Sequence, residues 1–291
     1  MNASTLNATT APEKTRTEML VTTEWLAQHL KDPDVVLICI AGAKPYYDEG
    51  HIPGARLILL SDIVTKRGDI PNELPTVEQL TKVFRAAGVT SKSRVVLYGD
   101  EYNLYAARAY YTLDYLDLSG RTALLDGGLN KWKNELRPLT KEETKSAPAA
   151  DFKPHINQRI LMDTGNIKDW TASTQATRPT LLDARPVAEF AGERHSAEVH
   201  KLGHIPGAKS LYWQELLVSR ENPVLLPPQE LRKRFEAAGA APGSQVITYC
   251  RTGMQSSFDY FVAKYLGYDV RMYDSSFFEW SIEDLPAEVS K

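Results

Sequence analysis

Short apolar runs rich in β-branched residues alternate with longer amphipathic stretches along most of the chain. In the first half, the runs VVLICI, RVVLYG and RTALLD are separated by TVEQLTKVFRAAG and LYAARAYYTLDYL. In the second half, TLLDAR, QVITYC and VRMYD alternate with PQELRKRFEAAG and SSFDYFVAKYLG. Strands that alternate with helices of about 10–15 residues predict an α/β fold, a mainly parallel sheet with helices on both faces.

The two halves repeat each other. GHIPGA begins at Gly50 and again at Gly203, 153 residues later, and Tyr98 and Tyr249 end matching apolar runs 151 residues apart. FRAAG and FEAAG recur at that same offset, and DGGLNKW and DSSFFEW both carry an aspartate six residues before a tryptophan. Landmarks in one order at nearly one offset indicate two copies of a single fold.

Composition changes at both ends of the first copy. The first 18 residues are polar, without the apolar core of a secretory signal, so they predict a disordered tail at 1–18. The segment TKEETKSAPAADFKPHINQR is charged and contains Pro and Ala without an apolar period, as is typical of a surface linker. We therefore expect domains at 19–141 and 159–291, joined by a linker at 142–158.

Composition and charge narrow the function classes. The chain of 291 residues has 43% apolar and 24% charged residues, which is typical of a soluble globular protein. A net charge of −3 provides no basic surface for nucleic acid or an anionic membrane, and no apolar run has membrane-spanning length. Two cysteines, Cys39 and Cys250, cannot form a disulfide framework, which favours a reducing compartment. We expect a cytoplasmic protein.

Cys250 has the sequence context of a nucleophile. It follows the apolar run QVITY and precedes the polar turn RTGMQ and the helical stretch SSFDYFVAKYL. In a strand, tight loop and helix N-terminus, backbone N–H groups and the helix dipole stabilise a thiolate or a bound anion. Cys39, inside VVLICIA, is instead typical of a small buried apolar side chain.

These motifs resemble the tandem-domain rhodaneses, the thiosulfate and 3-mercaptopyruvate sulfurtransferases. The resemblance rests on the duplicated GHIPGA, the DxR pattern at Asp183 to Arg185, the loop CRTGMQS and the terminal YDSSFFEW, and covers residues 19 to 288. It implies a catalytic second domain, an inactive, structural first domain, and no metal or organic cofactor. The first copy fits that pattern because Gly99 stands where the repeat offset places Cys250.

The resemblance also implies a double displacement. The Cys250 thiolate takes a sulfane sulfur from a small donor as a persulfide and passes it to cyanide or a thiol, including a thiol of an acceptor protein. The substrate-binding candidates are Arg185 and the loop residues, whose backbone amides would stabilise the sulfur anion: Arg251, Thr252, Gly253, Met254 and Gln255.

The donor is predicted from the cations near the loop. Arg251 resembles the thiosulfate group and Thr252 the mercaptopyruvate group, whereas Glu189 stands where both groups usually carry an arginine. Thiosulfate is the predicted donor because Arg251 adds a cation, and 3-mercaptopyruvate is the alternative. Arg185 either binds the donor or pairs with Asp183. The insert before the second GHIPGA offers further cations that bind the donor or are exposed charges: Arg194, His195 and Lys201.

The loop sequence also bears on two other functions. A phosphatase of this loop type needs an arginine six positions after the cysteine, and Ser256 stands there, which argues against phosphatase activity. A non-catalytic persulfide carrier or binding module remains an alternative. His51 and His204 of GHIPGA occur in both copies, including the copy without the loop cysteine, so we predict a structural role for them.

Overall fold

A computed structural model describes residues 14–145, 148–149, 151–175, 177–199 and 201–290, apart from the side chain of Glu101. The predicted tail lies outside the described residues up to position 13. Beyond it, Thr17–Met19 forms a 3₁₀ turn, and the backbone N–H of Arg16 donates to the carbonyl of Tyr265 in the second copy at 2.8 Å. The described start of the chain therefore contacts both copies.

The first copy is a five-stranded parallel sheet with helices around it. Its elements, in chain order, are β1 (Leu20–Val21), α1 (Thr23–His29), β2 (Val35–Ala41), α2 (Lys44–Asp48), β3 (Arg56–Leu59), β4 (Thr65–Arg67), β5 (Ile70–Glu73), α3 (Val77–Ala86), β6 (Arg94–Gly99), α4 (Asp100–Tyr115), β7 (Thr122–Leu125) and α5 (Gly128–Asn134). The strand order is β1-β7-β6-β2-β3.

The second copy repeats this architecture. Its elements are β8 (Leu161–Met162), α6 (Thr164–Ala172), β9 (Thr180–Asp183), α7 (Val187–Phe190), β10 (Lys209–Ser210), α8 (Pro228–Ala237), β11 (Gln245–Tyr249), α9 (Met254–Leu266), β12 (Asp269–Tyr273) and α10 (Ser276–Ile282). The strand order is β10-β9-β11-β12-β8, and all neighbouring strands are again parallel. Read in the opposite direction, this order matches that of the first sheet strand by strand, with β11 at the centre in place of β6. The predicted α/β fold with two similar parallel sheets is confirmed.

Both copies contain the same hydrogen bond between the central strand and the GHIPGA motif. The Tyr98 hydroxyl, at the end of β6, accepts the backbone N–H of Ile52 at 3.3 Å, and the Tyr249 hydroxyl accepts that of Ile205 at 3.2 Å. Each isoleucine is the third residue of a GHIPGA motif, so each motif is fixed to the central strand of its own sheet. The tyrosines are buried, and desolvation raises the pKa of both hydroxyls well above the usual range.

The antiparallel hairpin of β4 and β5 is an element that the sequence pattern does not predict. Each residue of its strand Thr65–Arg67 is exposed and polar, so the strand lacks the apolar alternation by which a strand is recognised. The hairpin carries residues of the first copy to the cysteine loop of the second copy.

The two copies pack through α4 and α9. Tyr110 meets Phe261 edge to face with ring centroids 4.9 Å apart, and Tyr111 meets Tyr260 likewise at 5.1 Å. Edge-to-face contacts between buried rings add to the stabilisation from apolar burial. Asp114 on α4 accepts the Tyr260 hydroxyl at 2.5 Å, which gives this apolar interface a polar contact of fixed geometry.

The segment predicted as a surface linker is fixed to the first copy at several points. Phe152 is buried, and its carbonyl accepts Nε and Nη2 of Arg85 at 3.0 and 2.7 Å. The backbone N–H of Asn157 donates to the carbonyl of Tyr115. The domain limits given above stay a prediction. None of the helices that the structure describes is both long and apolar enough to cross a membrane.

Candidate functional site

Cys250 lies where the central strand of the second sheet ends. It follows β11 directly and is 1% exposed, and α9 begins four residues later. Gly253 caps α9 with φ +81°, and a Cβ there would lie 2.3 Å from Oδ1 and 2.6 Å from the backbone oxygen of Asp274. The tight loop therefore depends on glycine at this position. The first N–H groups of a helix have no intrahelical acceptor, so the N-terminus of α9, four residues after Cys250, offers donors that favour an anion near the strand end.

Two serines hold the cysteine loop, and sequence reasoning missed both roles. The Ser276 Oγ accepts the backbone N–H of Cys250 at 3.1 Å and that of Gly253 at 3.2 Å, and it donates to the carbonyl of Tyr273. The Ser256 hydroxyl donates to the Cys250 Sγ at 3.5 Å. Of the loop amides predicted to face the sulfur, that of Gly253 is thus directed to Ser276. Ser276 replaces the second glycine of DGGLNKW, a difference that the aligned repeats display.

Arg251 is engaged by a buried carboxylate. Its Nε donates to Oε2 of Glu189 at 2.8 Å, and its Nη2 donates to Oε1. Glu189 stands in α7, immediately after the DxR segment, with 3% of its side chain exposed. The hydrogen bonds to Glu189 raise the pKa of the Arg251 guanidinium above its ordinary value. The cation that favoured thiosulfate in the sequence analysis is therefore already paired.

A second carboxylate lies near this guanidinium. The pKa of Glu198 is lowered, first by its own backbone N–H, then by the Ser196 hydroxyl, with a further contribution from the charge of Arg251. The charge of Glu198 thus acts on Arg251 in addition to the direct pairing with Glu189. The surroundings of the loop are less positive than the sequence suggests.

Arg185 is bonded within the protein. Its Nε and Nη2 donate to Asp183 at 2.9 and 2.6 Å, and Nη2 also donates to the carbonyl of Gly203 at 2.8 Å. Burial opposes the charge of this guanidinium, but the Asp183 carboxylate outweighs it and keeps the pKa above its ordinary value. These contacts favour the structural alternative, in which Arg185 ties the DxR segment to GHIPGA. Donor binding by Arg185 stays a prediction.

The first copy contacts the remaining loop residues. Asn72, in β5, donates from Nδ2 to the Thr252 Oγ1 at 2.9 Å. Arg108, on α4, is completely buried, pairs with Asp274 and donates to the Asn72 carbonyl. Burial disfavours the charge of Arg108, but its pairing with Asp274 raises the pKa. Arg108 and Asp274 thus form a buried salt bridge between the two copies.

Met254 and Gln255, the other predicted loop residues, begin α9 and are half-buried. The Gln255 Oε1 is buried with no hydrogen-bond partner among the described residues. Of the insert cations, Lys201 bonds Asp284 at 2.7 Å, and His195 Nδ1 contacts the carbonyl of Ser196. Within the described part of the chain, no cluster of three or more His, Cys, Asp or Glu side chains is arranged to hold a metal.

The GHIPGA histidines and Cys39 have structural surroundings. His51 stacks on Tyr47 and contacts its carbonyl at 3.0 Å, and His204 stacks on Phe190 and contacts its carbonyl at 2.8 Å. Cys39 lies in the core of the first copy, where burial raises the pKa of its thiol to about 12. A thiol that stays protonated at neutral pH is a poor nucleophile.

Comparisons with known proteins agree with the two-copy fold. Residues 22–135 and 167–283 each match the Rhodanese-like domain family. The sulfur carrier protein TtuD of Thermus thermophilus is 32% identical over 90% of this chain and 93% of its own length. A putative thiosulfate sulfurtransferase of Synechococcus elongatus is 32% identical over 94% of this chain and 85% of its own length. A probable 3-mercaptopyruvate sulfurtransferase of Pseudomonas aeruginosa is 32% identical over 90% and 94%.

A solved structure supports the fold. The anaerobic ergothioneine biosynthesis enzyme of Chlorobium limicola, in complex with its natural substrate trimethyl histidine, matches with a TM-score of 0.82 and 23% identity over 94% of this chain and 71% of that one. Both copies match one domain family, and the relatives align over nearly the whole chain. The chain therefore belongs to the rhodanese family, as a sulfurtransferase built from two rhodanese-like domains.

Proposed function

We propose that this sulfurtransferase carries a sulfane sulfur as a persulfide on Cys250, takes it from thiosulfate, and delivers it to cyanide or a thiol. The observation that carries the proposal is the position of Cys250 between the end of β11 and the N-terminus of α9. The helix dipole and the unsatisfied first-turn N–H groups favour negative charge on the outer or inner sulfur.

The reaction proceeds in two displacements. The Cys250 thiolate attacks the outer sulfur of thiosulfate, a new S–S bond forms, and the old one breaks with its electron pair leaving on sulfite. Cyanide or a thiolate then attacks the outer persulfide sulfur, which leaves as thiocyanate or an organic persulfide and restores the Cys250 thiolate. Neither step consumes a proton or an external oxidant.

The chain's own residues have separable roles in this scheme. The Ser256 hydroxyl, 3.5 Å from Sγ, donates a hydrogen bond to the sulfur anion. Ser276 fixes the backbone of Cys250 and Gly253, so the loop keeps its shape while charge moves between the two sulfurs. A preformed loop needs no rearrangement at the moment of attack.

3-Mercaptopyruvate is the second candidate donor, and a specific observation favours it. The Arg251 guanidinium is bonded to Glu189, which weakens the argument that a free cation selects the thiosulfate dianion. Thr252 resembles the mercaptopyruvate group, and one relative is named a probable 3-mercaptopyruvate sulfurtransferase. In this case the Cys250 thiolate takes the substrate's sulfur, and the thiol proton moves to carbon as pyruvate leaves.

Thiocyanate formation from each donor and cyanide, together with the intact mass of the donor-treated protein, tests the proposal. We expect a mass gain of one sulfur atom and steady turnover, both lost in Cys250→Ser and retained in Cys39→Ala, which removes the other thiol. A persulfide without turnover would favour a sulfur carrier, as the relative TtuD is named. Absence of the persulfide with both donors would contradict the proposal.

A further inference from the structure

The ion pair beside the nucleophile is chemically unexpected in a site for anionic donors. Glu189 presents both carboxylate oxygens to Arg251, the residue adjoining the nucleophile. We propose that Glu189 is a specificity-determining residue, because its carboxylate occupies the guanidinium edge that an anionic sulfur donor would bind. This inference rests on the proposed function and adds the charge class of the preferred donor.

Glu189 is not easily displaced from Arg251. It is 2% exposed, its backbone N–H is bonded to the carbonyl of Pro186 at 2.9 Å, and α7 holds its position. A carboxylate left buried without its partner is strongly disfavoured. A donor anion that captures Arg251 must therefore leave Glu189 unpaired or move it, and either event opposes donor binding.

The neighbouring arginines offer no substitute for Arg251. Arg185 is bonded to Asp183, and Arg108 is bonded to Asp274, both in buried pairs. Glu198 adds a negative charge near Arg251. Among these arginines each positive charge is matched by a carboxylate, so the local field does not attract a dianion.

The consequence depends on the charge of the donor. Thiosulfate carries two negative charges, an arylthiosulfonate carries one, and a protonated organic persulfide carries none. Repulsion by Glu189 and competition for Arg251 grow with donor charge. The site therefore favours sulfane sulfur on a donor of low charge, and it uses thiosulfate with weak affinity.

The variant Glu189→Gln tests this, because it keeps the shape and one hydrogen-bond acceptor and removes the charge. Thiocyanate formation is measured at saturating cyanide with thiosulfate and with benzenethiosulfonate, each over a range of salt concentrations. We expect the KM for thiosulfate to fall about tenfold and that for benzenethiosulfonate about threefold, with kcat within about twofold of the parent protein. Added salt should raise the thiosulfate KM of the variant, since Arg251 then acts as an uncompensated cation.

Two further variants control for charge and folding. Glu230→Gln removes a carboxylate from the exposed pair with Lys233 and should leave both KM values unchanged. Glu198→Gln alters an exposed side chain, leaves the buried pair intact, and should lower the thiosulfate KM about twofold to threefold. Its effect tests the charge argument even if Glu189→Gln is poorly folded.

The opposite outcomes have distinct meanings. A thiosulfate KM that is unchanged or higher in Glu189→Gln, with Cys250 still taking up sulfur, overturns this inference and assigns Glu189 to orienting Arg251. Equal changes for the two donors overturn it as well. If mass spectrometry finds no sulfur on Cys250 with either donor in the parent protein, the proposed function itself fails.

Discussion

The two copies have the same sheet, but the end of the central strand differs. In the second copy β11 leads into the cysteine loop, whereas in the first copy α4 begins at Asp100, directly after β6. The Asn103 side chain there accepts the Gly99 N–H at 3.0 Å and donates to the carbonyl of Leu125. Asn103 thus satisfies the strand end from within the protein, and α4 begins without a loop like the one that follows Cys250.

The turns that contain Gly128 in the first copy and Ser276 in the second copy show the same contrast. Gly128, with φ +53°, and Ser276, with φ +57°, are equivalent and share the left-handed backbone. A Cβ on Gly128 would lie 2.5 Å from Asn103 Oδ1, whereas the Ser276 hydroxyl supports Cys250 and Gly253. The two copies thus share the backbone conformation of this turn. In the first copy the Asn103 side chain lies next to the turn, whereas in the second copy the Ser276 side chain extends from the turn to the cysteine loop. The predicted inactivity of the first copy would therefore depend on several residues together.

The largest expected effect is the loss of activity on removal of Cys250, which a cysteine at the equivalent position of the first copy should not restore. Cys250→Ser should lower thiocyanate formation by a factor on the order of 10⁴, and adding Gly99→Cys should restore none of it. A Cβ on Gly99 would lie 2.7 Å from the Ile40 carbonyl oxygen and 3.0 Å from the Ala106 nitrogen, and the Asn103 side chain already accepts the Gly99 N–H. Activity is measured with both donors after the folding of each variant is checked by circular dichroism.

Recovery of cysteine-dependent turnover in the double variant would contradict this comparison. It would mean that a thiol at the strand end suffices and that the loop contributes little. The single variant Gly99→Cys, with Cys250 intact, is the control for any damage to the fold, and its turnover should stay close to that of the parent protein if the first copy is not catalytic.

Local patterns predicted the fold and the position of Cys250 between a strand end and a helix N-terminus, because both are encoded in short segments. Strands and helices follow from apolar periodicity, and the strand-loop-helix context of Cys250 lies within 22 consecutive residues, from Gln245 to Leu266. The contacts that tune the site come from distant segments: Glu189 precedes Arg251 by 62 residues and Asn72 precedes Thr252 by 180. No periodicity connects such pairs.

Charge was the least predictable property of the site. The sequence displays Arg251 and Arg185 as cations, but their net effect depends on which carboxylates pack against them, and burial makes pairing obligatory. Ser276 was more accessible to sequence reasoning, since its glycine counterpart in the first copy differs in an otherwise matched motif. Comparing the two repeats position by position is therefore the signal that could have found it.

A smaller effect is expected when the supporting serine is exchanged for the residue of the first copy. Ser276→Gly keeps the left-handed backbone, removes the acceptor of two buried N–H groups, and should lower kcat about tenfold and destabilise the protein by about 1–3 kcal/mol. The reciprocal Gly128→Ser should also destabilise, through contact with Asn103, yet leave kcat unchanged. Equal losses of kcat in the two variants would show that the copies are not functionally distinct.

The smallest effect concerns α4 and α9, where the repeat offset of 151 residues matches Arg108 to Asp259. Arg108 pairs with Asp274, but both Asp259 oxygens are buried without a hydrogen-bond partner among the described residues. Burial raises the pKa of Asp259, and the negative charges of Asp183 and Glu215 raise it further. The folded protein therefore holds the Asp259 proton at pH values where an unfolded chain has lost it. The stability contributed by the protonated form is complete below about pH 4 and declines as pH rises toward the folded pKa.

The variant Asp259→Asn tests this, because the asparagine side chain does not titrate. Its melting temperature should match that of the parent near pH 4 and exceed it at pH 8, by the equivalent of about 1 kcal/mol or more. The exposed variant Asp32→Asn should show no such trend, and a gain for Asp259→Asn that does not grow with pH would mean that Asp259 is ionised in the folded protein.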